Sequence, residues 1–329
     1  MEAEVIDTFQ PRADFSALHN AVAAIREEIG KVVVGQHDMV DLLITGLLTN
    51  GHVLIEGVPG VAKTLASKLL AQTVDAKFSR IQFTPDMMPA DVLGTSVFNP
   101  QSREFEYKRG PIFGNIVLID EINRAPAKTQ SALFEVMEER QITNDGNTHR
   151  LDTPFMVIAT QNPIEQEGTY RLPEAQLDRF LFKIEVKYPQ LADEITMLKA
   201  AHETPMQQAQ TALVKHVLTA LQISELQAQV RKVHIEEKLI TYIATLVQET
   251  RLSASLYMGA SPRASIAVMN CAKSHAAINN RDFVTPDDIV AMLPHVLRHR
   301  IMLTPEREME GITPDEVIAE ILKSVEVPR

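Results

Sequence analysis

The strongest structural signal in the chain lies at residues 53–64, which read VLIEGVPGVAKT. Residues 53–55 are apolar and predict a buried strand, and the apolar residues of 65–71 predict a helix after the turn. Between them lies a glycine-rich loop whose backbone N–H groups, together with the helix N-terminus, can face an anion. This context predicts a phosphate-binding loop at 57–64, with an ordinary glycine-rich turn that binds nothing as the alternative.

The residues of this loop have predicted roles in binding phosphate and metal. Lys63 is expected to meet the β- and γ-phosphates, and the Thr64 hydroxyl is expected to hold Mg²⁺. Ala62 stands where the usual pattern has a glycine, and because a methyl group is the smallest obstruction, we expect the loop to keep its shape. The predicted contacts of the loop with the nucleotide are Gly57, Val58, Pro59, Gly60, Val61, Ala62, Lys63, Thr64 and Leu65.

Short apolar runs alternate with helical stretches from residue 51 to residue 188. The run at 116–119 is apolar throughout, as expected of a strand covered on both faces, and residues 125–140 are amphipathic. Strands that alternate with helices pair in parallel through crossovers, so we predict an α/β fold with a doubly wound parallel sheet. The predicted strands lie at 53–55, 78–83, 116–119, 155–159 and 182–186.

Two segments interrupt this alternation and are predicted to be insertions on the α/β core. Residues 84–110 hold two short strand-like runs about a polar turn at 99–103. Residues 141–151 carry Asn-Asp-Gly-Asn at 144–147 between strand-like flanks, which predicts a hairpin.

Helices are predicted on both sides of the core. Apolar residues recur at helical spacing from Leu18 to Ile29, and a second apolar helix is predicted near 39–48. Strand signals disappear after Pro189, so the remainder is predicted to consist of helices only. Three helices there are predicted to begin at an N-cap followed by proline, namely Ser261-Pro262, Thr285-Pro286 and Thr313-Pro314. The predicted division is a polar tail at 1–14, an α/β domain at 15–190 and an all-α domain at 191–329.

Two carboxylates end the apolar strand at 116–119. Because successive strand side chains point to opposite faces, one acid can face a metal and the other an attacking water. We assign Asp120 to Mg²⁺ and Glu121 to polarising the water. The alternative is a solvated strand end followed by a helix-capping acid, which is common.

Three residues farther along the chain are candidates for sensing the γ-phosphate. Asn162 follows a predicted strand, where an amide can orient water, although an Asn before Pro is more often a turn residue. Arg179 precedes the last predicted strand and is a candidate arginine finger acting on a neighbour's nucleotide, with a surface ion pair as the alternative. Arg263 lies in a predicted first helical turn, where a cation opposes the helix dipole unless a phosphate binds nearby or the side chain turns to solvent.

Composition excludes several classes of protein. The chain has 329 residues, 45% of them hydrophobic, which favours two globular domains over a disordered chain. Its net charge of −11 disfavours a general nucleic-acid binder. The single cysteine, Cys271, rules out an internal disulfide and fits a reducing compartment. With an acidic start and no apolar run of about 18 residues, we expect a cytoplasmic protein without membrane insertion.

In this order and spacing, the motifs resemble those of AAA+ ATPases and, within them, the MoxR family. The loop at 57–64 is similar to the family's nucleotide loop, and residues 119–126 are similar to its second acidic motif. Three further stretches resemble the sensor 1, arginine-finger and sensor 2 segments, and they lie at 159–170, 172–180 and 259–264.

The resemblance implies how the site and the assembly are built. It implies ATP and Mg²⁺ at Lys63, Thr64 and Asp120, with Glu121 for hydrolysis. It assigns Asn162 as sensor 1, Arg179 as a finger acting in trans and Arg263 as sensor 2, and it places Val34 and Gly35 beside adenine. Arg171 and Arg124 remain alternative fingers, because Arg171 stands where relatives are expected to have proline.

The resemblance also implies architecture and partners. Residues 84–110 correspond to an insertion in helix 2 and 141–151 to a hairpin before sensor 1, both facing a ring pore, and the helical domain corresponds to a lid. Members form rings, typically hexamers, and remodel or mature partner proteins that often carry von Willebrand factor A domains. Met87, Met88 and Phe98 could face such a client, but packing is the favoured interpretation for these side chains.

Three other functions remain open at this point. The same residues would serve a nucleotide-gated assembly switch with slow turnover. Stimulation of ATP hydrolysis by a partner would distinguish a remodelling motor from such a switch. A chelatase-type subunit that drives metal insertion differs only in its substrate. A DNA-directed AAA+ protein is disfavoured by the net charge of −11.

Overall fold

The computed structural model describes residues 14–162, 169–203 and 212–328. The strands, in chain order, are β1 (Val53–Gly57), β2 (Phe78–Gln82), β3 (Gly94–Asn99), β4 (Glu104–Arg109), β5 (Ile116–Asp120), β6 (Gln141–Asn144), β7 (Asn147–Arg150), β8 (Met156–Gln161), β9 (Phe182–Val186), β10 (Leu256–Met258) and β11 (Met302–Leu303). The helices are α1 (Ser16–Gly30), α2 (His37–Leu48), α3 (Lys63–Thr73), α4 (Pro89–Leu93), α5 (Ala127–Glu139), α6 (Glu174–Leu177), α7 (Leu191–Glu203), α8 (Ala220–Arg231), α9 (Glu237–Leu252), α10 (Pro262–Ile278), α11 (Pro286–Leu297), α12 (Pro305–Met309) and α13 (Pro314–Ser324).

The five predicted strands form one parallel sheet in the order β2-β5-β8-β1-β9, which confirms the doubly wound α/β fold. The apolar strand β5 is buried along its whole length, as its composition predicts for a strand covered on both faces. In register, Gln82 pairs with Asp120 and Glu56 pairs with Gln161. The carboxyl ends of β1, β2, β5 and β8 therefore meet at one edge of the sheet.

Side chains on the two faces of the sheet join two separate hydrophobic cores. Leu54, Val117 and Val157 point to the face covered by α5. The adjacent residues on these strands, including Ile55 and Leu118, point to the opposite face of the sheet. They join a core that contains α1, α2 and α3 and continues into the helices after residue 219. The later helices are thus packed against the α/β core rather than held by a linker alone.

The two predicted insertions are present as hairpins, β3–β4 and β6–β7. They contact each other, because Asn144 Nδ2 donates to Ser96 Oγ and Ser96 Oγ donates to Asp145. The interpretation of Met88 and Phe98 as packing residues is wrong: Met88 is 66% exposed and Phe98 is 49% exposed, whereas Met87 is partly buried against the core. Phe98 lies on the hairpin strand β3 and Met88 directly precedes α4, and among the described residues no further layer covers either side chain.

The remainder of the chain is mainly helical, but the prediction of helices only is wrong at one place. The short strands β10 and β11 pair in antiparallel fashion. Strands of three and two residues are too short to show a period of two, so the sequence pattern could not reveal them. Among the described residues, no helix is long and apolar enough to span a membrane.

The three predicted proline-first helices begin where expected, at Pro262, Pro286 and Pro314. Thr313 caps its helix by accepting a hydrogen bond from Glu316 N. Ser261 occupies the N-cap position of α10 without a side-chain capping bond, and its Oγ instead donates to Asp178 Oδ2 at 2.9 Å. That bond ties the start of α10 to the turn before β9.

Asp288 in α11 is fully buried and holds the helical part together. Its carboxylate accepts from both terminal nitrogens of Arg281 at 2.6 Å, and His275 Nδ1 lies 2.6 Å from Oδ1. Burial would raise the pKa of Asp288, but the hydrogen bonds from His275, Arg281 and Thr285 outweigh it and hold the pKa well below its usual range.

We expect Asp288→Asn to lower the free energy of unfolding by about 3 kcal/mol at pH 7, because it leaves Arg281 without its buried counter-charge. A depressed carboxyl pKa stabilises the fold fully above the unfolded-state value of about 3.9, and this contribution begins to fall below that pH and is lost as the pH falls through the lower pKa of the folded state. The gap between wild type and variant should therefore narrow below about pH 4. Urea unfolding at pH 7 and pH 3.5 measures both effects, and equal midpoints at pH 7 would disprove the role.

Candidate active site

The carboxyl ends of four parallel strands open into a cleft of about 600 Å³. Ligands of open α/β sheets bind in this position, where the strand order reverses. The cleft lies between the loop after β1, the acidic end of β5 and the end of β8, and Met197 and Ala200 of α7 complete its wall. A volume of this size suits a small-molecule ligand.

The loop after β1 keeps the phosphate-loop shape despite Ala62. Gly60 (φ +87°) and Ala62 (φ +62°) both have left-handed backbone conformations, and α3 begins directly afterwards at Lys63. A left-handed non-glycine residue costs about 1–2 kcal/mol, which the surrounding loop sustains here. The Lys63 ammonium donates from Nζ to Gly57 O at 2.6 Å, so it lies folded back across the loop.

The loop residues divide between the cleft and the core. The residues that line the cleft are Pro59, Gly60, Ala62, Lys63, Thr64 and Leu65. Val61 is buried and Val58 is partly buried against the apolar core, so these two side chains anchor the loop. Gly57 lies against Val186 of β9, and a Cβ added to Gly57 would lie 2.9 Å from Val186 O.

Asp120 is buried at the end of β5 and already faces a cation. Its Oδ2 accepts from Arg80 Nε at 2.7 Å, and its Oδ1 accepts from Thr160 Oγ1 at 3.2 Å. Thr160 Oγ1 in turn accepts from Glu121 N at 3.1 Å, which ties the end of β8 to the acid pair. Asp120 and Thr64 bring carboxylate and hydroxyl oxygens to one cleft, and hard oxygen ligands of this kind are those that Mg²⁺ prefers.

Glu121 follows in a left-handed conformation with φ +58°. Its Oε2 accepts from Arg124 Nε at 2.7 Å and from Gln82 Nε2 at 3.0 Å. The carboxylate therefore lines the cleft while it is held from the side by two donors. Arg124 thus contacts the acid pair of its own chain.

The predicted contacts on either side of the acids are found in part. Asn162 is buried and lines the cleft, as does Val34 together with Val32 and Val33. Gly35 lies one residue farther along, at φ +72°, and a Cβ added there would lie 2.5 Å from the Asp193 side chain. Residues 163–168 of the predicted sensor 1 stretch lie outside the described residues.

Arg179 and Arg263 do not lie among the described residues that line the cleft. Both guanidinium groups contact Glu138 at the end of α5: Arg179 Nη2 lies 3.1 Å from Oε2, and Arg263 Nη2 donates to Oε1 at 2.5 Å. The Glu138 carboxylate thus offsets the unfavourable position of a cation in the first turn of α10, an arrangement that neither sequence alternative for Arg263 describes. Arg171 lies in a third place, 3.5 Å from Glu174 and largely exposed.

The sequence alone assigns no role to Arg80 and Gln82 at the end of β2. They reach the acid pair because β2 lies beside β5 with Gln82 opposite Asp120. The only local signal is that two polar residues lie two positions apart on a short strand and therefore point to the same face. An exposed strand at the edge of a sheet shows the same pattern. Their role becomes visible once the strand order is known.

Comparison with known proteins agrees with this geometry. The family described as ATPase family associated with various cellular activities (AAA) matches residues 52–182, and the AAA lid domain matches residues 248–321. A crystal structure of a candidate ATPase from Cytophaga hutchinsonii aligns with a TM-score of 0.88 and 43% identity, covering 96% of this chain and 97% of that chain.

Two relatives are similar over most of their lengths. The protein YeaC of Bacillus subtilis is 47% identical over 94% of this chain and 96% of its own length. Chaperone MoxR1 of Mycobacterium tuberculosis is 44% identical over 92% of this chain and 81% of its own length. With a nucleotide loop, an acid pair and a helical lid in the same order, the chain belongs to the MoxR family of AAA+ ATPases.

Proposed function

We propose that this ATPase works as a ring of identical subunits, with ATP bound between neighbours, and that it remodels or matures partner proteins. One observation carries the proposal. The residues that can hold and attack a nucleotide share one cleft, whereas the cations suited to the γ-phosphate lie together elsewhere on the chain. We propose that a second copy supplies these cations, so that both sets of residues act on one nucleotide.

In the cleft, Lys63 and the backbone N–H groups of its loop would bind the β- and γ-phosphates. Thr64 and Asp120 would hold Mg²⁺, and the Arg80 guanidinium on Asp120 shows that this carboxylate can accommodate a cation. When bound, Mg²⁺ would neutralise charge on the phosphate oxygens. Arg80 must then leave Asp120, which its exposed side chain allows.

Glu121 would accept the proton of the attacking water, and Asn162 would orient that water or the γ-phosphate. The Glu121 carboxylate is held by Gln82 and Arg124 in the present structure, so it must turn from these donors toward the water. The Arg124 contact with Glu121 makes Arg124 a poor candidate for a finger in trans. Arg179 and Arg263 are therefore the proposed cations acting on the neighbour's nucleotide.

An exposed apolar stripe on α7 supports assembly. Leu191, Ile195 and Leu198 follow helical spacing and are all exposed, while Met197 of the same helix lines the cleft. Exposed apolar stripes of this kind mark interaction surfaces. We propose that a neighbouring subunit covers this stripe, and the family resemblance makes a hexamer the proposed ring.

The proposed client surface is the β3–β4 hairpin, where the Phe98 and Phe105 rings contact each other with their centroids 5.4 Å apart. Phe105 is 72% exposed, so the pair is available to a partner. The family resemblance favours partners with von Willebrand factor A domains. We also propose a division into domains at residue 190. A cytoplasmic location is proposed as well, because a single cysteine, Cys271, fits a reducing compartment.

The proposal is tested by measuring phosphate release from Mg-ATP over a range of protein concentrations. Sites completed by a neighbour require specific activity to rise as subunits assemble, and a purified protein with a von Willebrand factor A domain should stimulate turnover further. Lys63→Ala, which lacks the phosphate-binding ammonium, is the control. Activity per subunit that stays constant when the protein is monomeric contradicts completion in trans, and turnover that partners never change favours the slow switch.

A further inference from the structure

We propose that Glu138 is a positioning residue that holds Arg179 and Arg263 together, so that both are delivered to the neighbouring subunit's γ-phosphate as one unit. The inference rests on the proposed function, in which these two arginines act in trans. Glu138 has the geometry for this role, because each of its carboxylate oxygens serves a different guanidinium. The two contacts measure 3.1 Å to Arg179 and 2.5 Å to Arg263.

The two arginines come from parts of the chain that only the tertiary fold brings together. Arg179 follows α6 in the α/β part, and Arg263 lies in the first turn of α10 in the helical part. Two guanidinium groups repel each other unless an anion lies between them. Glu138, at the end of α5, supplies that anion.

A second network fixes the backbone behind these side chains. Asp178 accepts from Arg300 Nε at 2.7 Å and from Ser261 Oγ at 2.9 Å, so the residues next to both arginines are joined. Arg300 is buried and also donates to Phe180 O and Leu181 O. Burial lowers the pKa of Arg300, and Asp178 opposes that effect, as a charge held at a packed junction requires.

This anchoring leaves the two arginine side chains as the movable part of the assembly. Arg179 and Arg263 are partly exposed, and an exposed ion pair is weak in water, so a triphosphate can displace Glu138 from them. Phosphate oxygens accept from guanidinium groups as carboxylates do, often with two parallel bonds. Glu138 therefore sets the starting geometry for an exchange of carboxylate for phosphate.

The test uses Glu138→Gln, which keeps the shape of the side chain but replaces one acceptor oxygen by a donor. We expect kcat for ATP hydrolysis to fall about tenfold, because the misplaced Arg179 and Arg263 guanidinium groups would stabilise the transition state less well. KM for ATP should be nearly unchanged, because Glu138 does not line the cleft of its own subunit. Glu135→Gln, one turn earlier on the exposed side of α5, is the matched control and should behave as wild type. The thermal unfolding midpoint should be unchanged in both variants.

Subunit mixing separates a positioning role from a structural one. Glu138→Gln subunits keep an intact acid pair, and Glu121→Gln subunits keep an intact arginine pair, so mixing the two should restore activity. Mixing Glu138→Gln with Arg179→Ala should not restore activity, because the arginine pair is defective in both variants. The double variant Glu138→Gln/Arg179→Ala should be no worse than Arg179→Ala alone.

The possible outcomes distinguish a failure of the inference about Glu138 from a failure of the proposed function. If Arg179→Ala and Arg263→Ala lower kcat while Glu138→Gln matches wild type, the inference about Glu138 is wrong and the proposed function stands. If neither arginine variant affects turnover, the proposed action in trans fails. If Glu138→Gln is impaired and Glu121→Gln does not rescue it, Glu138 acts within its own subunit, and the inference is overturned.

Discussion

Glu121→Gln should lower kcat for ATP hydrolysis by about two orders of magnitude or more, the range expected for a positioned acid–base group. Glutamine keeps the side chain's shape and can still accept a hydrogen bond from Arg124 or Gln82, but it cannot take a proton from water. Phosphate release under saturating Mg-ATP measures the loss.

Binding of ATP should persist in this variant, because Lys63 and the loop backbone are untouched. Equilibrium binding of a fluorescent ATP analogue checks this, with Lys63→Ala as the variant expected to lose binding. Near-normal turnover by Glu121→Gln would show that another group activates the water. The trapped ATP state of this variant is also the form in which a client is best captured.

Arg179→Ala should lower kcat by about 10³-fold, the smaller end of the effect of arginine fingers, without weakening ATP binding to the same subunit. The physical reason is distance: the guanidinium is held at Glu138, and it does not lie among the described residues of its own cleft. Arg171→Ala tests the alternative finger, and because Arg171 lies beside Glu174 instead, we expect this variant to behave as wild type. Steady-state phosphate release compares the three proteins at equal concentration.

Mixed assemblies show whether this loss occurs in trans. Arg179→Ala subunits have an intact acid pair, and Glu121→Gln subunits have an intact arginine. Where a Glu121→Gln subunit lies beside an Arg179→Ala subunit, the intact acid pair of one and the intact Arg179 of the other form a complete site. A mixture of two nearly inactive proteins should therefore hydrolyse ATP. A mixture no more active than its components, in assemblies shown to contain both, would rule out Arg179 as the finger.

The half of the candidate site that contains the loop and the acid pair was predictable because its determinants are local. Gly57 to Thr64 combine a strand, a left-handed turn and a helix start within a few residues, and the acids at 120–121 directly follow an apolar strand. Parallel strands place such ends at one edge of a sheet, whatever the rest of the chain does. Ala62 could be accepted in advance, because its methyl group adds little bulk even in a left-handed conformation.

Other features depended on residues far apart in the chain and left no local trace. The pairing of Leu256 with Leu303 joins strands too short to show a period. Arg80 meets Asp120 only because β2 and β5 are neighbours in the sheet. Met88 and Phe98 gave a misleading signal, because apolar residues predict burial but do not show whether a covering layer exists.

Periodicity and motif spacing in this chain were sufficient to establish the α/β fold, the nucleotide loop and the acid pair, because backbone sterics and side-chain alternation act over a few residues. The position of Arg263 beside Arg179 was established by packing alone. The core that α1 and α2 share with the helical part holds that part against the sheet, and Glu138 and Asp178 complete the junction. Such a contact depends on how whole elements stack, and no short stretch of sequence contains that information.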